Sequence, residues 1–214
     1  MSVRSSRGSA LALTGVLFVV LLVIGFVIGG ESPDSDAPRR EVVEYWADHD
    51  DQNTIGSAIE AAAAVALLFF SATLYRSTKS WGDDGTLPAA AFAGGIVAAA
   101  GVGVDAAIRF TAADVADKID PATLQTLSIM WADFFFPMVV GLATLILATS
   151  ILGWRSRALP VWLAVVGILL TIAFFTPVGF AAFLLSAVWI IVLSVLLWRR
   201  GARAGDEAPT VAAS

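Results

Sequence analysis

Four ionisable side chains interrupt otherwise apolar stretches of this 214-residue chain: Glu60, Asp105, Arg109 and Asp133. A charge at the centre of a membrane helix costs about 2.5–3.5 kcal/mol on insertion scales, so such residues usually face a bundle interior or water and have partners. Three acids and one guanidinium admit two readings. They form an ion, proton or small-solute site, or a structural cluster in which one base answers several carboxylates. Asp105 and Arg109 are spaced i, i+4 with the acid first, the favourable order for an intrahelical ion pair. Asp133 lies in "SIMWADFFFPMVVG", four residues before Pro137. Proline lacks the N–H that would bond the carbonyl of Asp133, which predicts a kink there and a free carbonyl beside the carboxylate. Bent spans of transporters offer freed carbonyls to ligands in this way.

Other chemistry is sparse. His49, the single histidine, stands in "WADHDDQN" among three aspartates. Histidine and carboxylates bind divalent ions, but adjacent residues cannot converge on one metal, and a solvated acidic loop is the expectation. No metal and no cofactor is expected. The chain has no cysteine, which excludes disulfides, thiolate metal sites and thiol catalysis. No metalloprotease, P-loop, nucleophile-elbow or dinucleotide fingerprint is present, so no catalytic residue is assigned. An enzyme ranks below a binding site or a scaffold. A nucleic-acid partner is not expected, because no basic patch of useful size occurs.

The elements that must position these residues are membrane spans. The chain is 58% hydrophobic and 14% charged, with a mean hydropathy of +0.82, far more apolar than a soluble domain. About 20 mostly apolar residues are needed to cross a core of roughly 30 Å. Six segments qualify, at about 10–29, 54–75, 88–108, 124–152, 160–176 and 178–198. The last two form one apolar run, which as a single helix would be about twice the core thickness, so Thr176-Pro177-Val178-Gly179 is expected to turn the chain back. The first segment reads as a retained anchor and not a cleaved signal peptide, its apolar core exceeding the usual 7–15 residues with no A-x-A site following.

Lysine and arginine orient the frame. Arg4, Arg7, Arg76, Lys79, Arg155, Arg157, Arg199, Arg200 and Arg203 fall on one side, and Arg39, Arg40, Arg109 and Lys118 on the other. The positive-inside rule places both termini in the cytoplasm, in a multi-pass protein of the plasma membrane. Trp81, Trp154, Trp162 and Trp198 fall near the cytoplasmic boundary and Trp46 near the outer one, where interfacial rings concentrate. Trp131 and Trp189 lie too deep for a belt and are expected to pack. The acidic outer loop, residues 31–53, ends in "REVVEYWADHDD", which is expected to lie as a short helix along the membrane interface through Val42, Val43, Tyr45 and Trp46. The tail, residues 201–214, is expected to be disordered.

Small residues supply the packing. Gly56 and Ala64 flank Glu60 at i±4, Gly101 precedes Asp105 by four, and Gly95, Ala99, Gly103 and Ala107 form a ladder. Such spacing lets helices approach closely in lipid. Glu60 is expected about 9 Å, and Asp133 about 13 Å, below the outer ends of their spans at 1.5 Å per residue.

"RFTAADVADKIDPATLQTLSIMWADFFFPMVVG", "RALPVWL" and "TPVGF" resemble segments of multi-span membrane proteins of a domain-of-unknown-function kind common in actinobacteria. The resemblance covers residues 10–200 and is strongest from Arg109 onward. It implies a six-span membrane protein and transfers no catalytic roles. The expectation is therefore an all-α bundle of six spans, with spans two, three and four meeting around the four ionisable residues. Lipid is its certain neighbour, and a protein partner or a second copy is left open.

Overall fold

The structure, a computed structural model, describes residues 10–30, 33–34, 36–82 and 84–206, and among these every regular element is helical. After a 3₁₀ turn at Leu11–Leu13 come α1 (Thr14–Gly29), α2 (Arg39–Asp48), α3 (Asp50–Thr78), α4 (Thr86–Val115), α5 (Pro121–Asp133), α6 (Phe136–Arg155), α7 (Val161–Ala173) and α8 (Gly179–Asp206). Five stretches are long and apolar enough to cross a membrane: Leu11–Ile28, Asp50–Trp81, Thr86–Val115, Pro121–Arg155 and Gly179–Ala202. The segment expected at 160–176 is shorter. Its helix has 13 residues, about 20 Å at 1.5 Å per residue.

Local chemistry sets the boundaries. Asp50 and Asp51 occupy the first turn of α3 and Arg76 its last, each opposing the charge that the helix macrodipole places at that end. Asp120 caps α5, accepting from the N–H groups of Ala122 and Thr123, with Pro121 at the first helical position where its missing N–H costs nothing. The span-four helix is interrupted at Phe134 and Phe135, and Pro137 stands in the first turn of α6. The turn between α7 and α8 is closed by the Gly179 N–H donating to the Thr176 carbonyl at 2.9 Å. A Cβ at Gly179 would approach the Phe174 carbonyl to 2.8 Å, so a small residue is required there.

The bundle is packed around α4, which lies between α3 and α6. On the α6 side the backbones nearly touch. A Cβ added at Gly94 would lie 2.6 Å from the Leu145 nitrogen, and one at Gly101 would lie 2.5 Å from that of Met138. One added at Gly141 would collide with the backbone of Ala98. The face used is thus Gly94, Ala98 and Gly101. Of the expected ladder, Gly95 packs on Ser71 of α3, while Gly103 faces open space. Apolar residues such as Phe69, Val97, Leu169, Ile172, Leu184 and Val188 are exposed around the bundle, where lipid would cover them.

At one end of the bundle a second, smaller core forms. The 29 residues of α3 and the 30 of α4 span about 43–45 Å, more than a core of roughly 30 Å requires. The excess carries a cap. Val42, Tyr45 and Trp46 of α2 pack on Ala112, Ala113 and Ala116 at the end of α4 and Leu124 of α5. Helix α2 forms as expected, but its apolar face lies on protein and not along the interface. Trp46 is fully buried, edge-on to Trp131 at 5.5 Å. The end of α8 also differs from expectation: residues 201–206 continue the helix, while 207–214, Arg4 and Arg7 lie outside the described residues.

Candidate functional site

Arg109 is the centre of the polar cluster. It projects from α4 and is 1% exposed. Its Nη1 donates to Glu60 Oε1 of α3 at 2.5 Å and to the Gly25 carbonyl of α1 at 3.0 Å. Its Nε donates to Asn53 Oδ1 of α3 at 2.9 Å. Three helices therefore converge on one guanidinium, whose five donors in a rigid fork suit such a role better than a lysine would. The space for it is made by glycine. A Cβ at Gly56 would lie 2.7–2.8 Å from the guanidinium, and one at Gly25 would lie 2.7 Å from the Glu60 side chain.

Glu60 is wholly buried, with Oε1 on Arg109 and Oε2 without a hydrogen-bond partner among the described residues. Such an orphan acceptor is costly in a dry interior. Above the cluster, Asn53 Nδ2 donates to the His49 carbonyl at 3.0 Å, and the Tyr45 hydroxyl donates to Asn53 Oδ1 at 3.4 Å. Tyr45 stacks on His49 at 5.0 Å. The α2 cap is thereby hydrogen-bonded to the polar cluster through a single asparagine.

Asp105 takes a different place from the one its spacing suggests. No ion pair within 4 Å joins it to Arg109 among the described residues, because the guanidinium is turned across to Glu60. Asp105 is half-buried and lines a pocket of about 840 Å³ together with Arg109. The walls are aromatic, contributed by Phe26 of α1, Trp131 of α5, Phe136 of α6, Phe174 after α7, and Phe180 and Phe183 of α8. The guanidinium carbon of Arg109 sits 5.6 Å from the centre of the Trp131 ring, within cation–π range.

Asp133 is not brought to this cluster. It is exposed, lines neither the pocket nor the Arg109 environment, and makes no ion pair among the described residues. The reason is helical phase. The face of α5 turned inward carries Leu124, Ser128 and Trp131, and two residues at about 100° each put Asp133 nearly opposite Trp131. The break before Pro137 lies beside the pocket, whose wall includes Phe135 and Phe136.

Glu60, Asp105 and Arg109 are thus gathered at one end of the bundle, while Gly25 and Asn53 join them without having been singled out from the sequence, and Trp131, expected only to pack, borders them. Asn53 had a signal: it precedes Glu60 by seven residues, two helical turns along the same face. Gly25 acts through its carbonyl, which no side-chain reading reveals. No metal-holding group of three or more His, Cys, Asp or Glu exists among the described residues.

No family model, curated protein or solved structure matches the chain. What the protein does must therefore follow from the pocket and the cluster themselves.

Proposed function

We propose that this is a six-span protein of the cytoplasmic membrane, with both termini cytoplasmic, that binds a small solute in the aromatic pocket of its outer half. The single observation carrying the binding reading is that the pocket reaches a carboxyl, Asp105, and a guanidinium, Arg109, between apolar walls. Ligand sites are typically concave, largely apolar and 300–1,000 Å³, with a few convergent polar groups. Ionisable residues within membrane helices are rare, face the bundle interior or a water-filled cavity, and mark substrate and ion pathways.

The six-span topology is supported by which helix ends meet. The end of α1, the end of α4, the start of α6, the end of α7 and the start of α8 all line the same pocket. Away from the pocket, the 3₁₀ turn Leu11–Leu13 that leads into α1 packs on α8, and Gly15 lies against Ser194, just past the midpoint of α8. Helix α7 therefore runs the same course through the bundle as its longer neighbours, and the Trp189 indole of α8 donates to its Leu163 carbonyl at 2.9 Å. Trp81, Trp154, Trp162 and Trp198 fall at the end away from the pocket, as do Arg76, Lys79, Arg155 and Arg157. The excess of basic residues assigns that end to the cytoplasm.

The absence of native cysteine makes accessibility directly measurable. In proteoliposomes, Val139→Cys, which lines the pocket, is expected to react with a small water-soluble thiol reagent added outside. Leu145→Cys, six residues further along α6 and fully buried in the seam, is expected to stay unlabelled. Equal silence of both positions in correctly folded protein would refute a solute-accessible pocket. The competing reading, a scaffold whose cluster serves only packing, is favoured by the complete burial of Glu60 and Arg109 and predicts that silence.

A further inference from the structure

We infer that the pocket selects organic cations with an apolar body, and that Asp105 receives their charge. This inference rests on the reading of the pocket as a solute site and names the class of solute. Among the charged groups of the pocket wall, the Arg109 charge is already answered by Glu60, and three of its five donors, on Nη1 and Nε, are bonded to Glu60, Gly25 and Asn53. Glu60 and Arg109 balance one another as a buried pair. Asp105 remains, a half-buried acid facing the pocket with no cation within ion-pair distance among the described residues. Among the described residues no other lysine, arginine or histidine lines the pocket.

Ligand classes separate on this charge pattern. An anion would meet Asp105 as a like charge and find a guanidinium whose positive charge is already balanced by Glu60. A neutral apolar solute would leave the carboxylate with a hydrogen bond from Trp131 but no counter-charge at low dielectric, which is costly. A cation supplies the missing counter-charge, and its apolar body meets aromatic faces that attract positive charge within about 6 Å of a ring centre. Trp131, Phe26, Phe174 and Phe183 supply those faces.

The test uses two probes of one shape and opposite charge, tetraphenylphosphonium and tetraphenylborate, with the purified full chain in detergent. Equilibrium dialysis is expected to show binding of the phosphonium and not of the borate. Asp105→Asn is expected to lower phosphonium affinity by at least about tenfold, and Asp105→Glu to retain most of it. If Asp105→Asn fails to fold, Val139→Cys keeps the carboxylate and gives a second readout, in which the phosphonium slows thiol labelling and the borate does not. Equal binding of both ions, preference for the borate, or full phosphonium affinity in Asp105→Asn would each overturn the inference. Rapid labelling of the Val139→Cys variant without protection by the phosphonium would overturn the cation class alone, whereas no labelling at all would remove the pocket reading beneath it.

Discussion

The seam between α4 and α6 and the polar junction above it share a helix, yet they are held by opposite means. Along the seam, Gly94, Ala98 and Gly101 bring one backbone against another at Gly141 and Met138, with no charged group involved. At the junction, glycines at 25 and 56 also remove side chains, but the space so made is filled by Glu60 and Arg109. In lipid there is no hydrophobic drive between helices, so association rests on close packing or on polar contacts. The seam uses the first. The junction uses the second and borders the pocket. The same residue type, glycine, thus marks a rigid contact in one place and a charged niche in the other, and only the partner helix distinguishes them.

The comparison can be broken most severely at Arg109. Arg109→Leu strands the Glu60 carboxylate, and removing one partner of a buried pair typically costs about 3–5 kcal/mol; thermal unfolding in detergent should show the largest loss of any variant here. Replacing both, Glu60→Gln with Arg109→Leu, should recover part of it. Trp46→Ala should cost a similar amount, about 3–5 kcal/mol, because it empties the centre of the α2 cap. Trp46→Phe should cost far less, since Trp46 Nε1 is buried without a partner among the described residues and phenylalanine removes that unmet donor. A drop for Trp46→Phe as large as for Trp46→Ala would show that the indole nitrogen is bonded after all.

Gly141→Ala sharpens the seam side. Its Cβ would collide with backbone atoms of Ala98, which cannot swing aside as a side chain can, and overpacking costs about 1–3 kcal/mol. The loss should leave labelling of Val139→Cys at the pocket unchanged if the two regions are independent. The smallest effect is expected at Asp120. Its carboxyl is held below the usual carboxylate range by the Thr123 hydroxyl and the Thr123 and Ala122 N–H groups. A lowered folded-state pKa gives stability that is present above the unfolded value and lost as pH falls through the folded one. Asp120→Ala should therefore melt slightly below wild type at neutral pH, and the gap should close in acid. Asp133→Asn, by contrast, should leave melting unchanged at neutral pH.

The helical class and the approximate helix positions were legible in the sequence because apolar runs of about 20 residues have few alternatives. The turn at Thr176–Gly179 was legible through proline and glycine chemistry. What the sequence concealed was rotation. Asp133 looked like a cluster member because it sits deep in an apolar run beside Pro137, yet its helix turns Trp131 inward and Asp133 out. Asp105 looked like the partner of Arg109 through i, i+4 spacing, but a local pair on one helix lost to a contact joining three, with Glu60, Asn53 and the Gly25 carbonyl. The α2 segment looked interfacial because its amphipathic pattern cannot say whether lipid or protein will cover the apolar face.

The ion pair of the junction also constrains how the chain is made. Its two members are 49 residues apart, so the helix bearing Glu60 leaves the ribosome before the helix bearing Arg109 exists. Alone, the first would carry an unanswered acid into the bilayer, which favours delivery of α3 and α4 together as a hairpin. A nascent chain ending at Gly85 should accordingly integrate its α3 segment less completely than one ending at Val115, and equal integration would show that the bilayer accepts Glu60 before its counterion arrives.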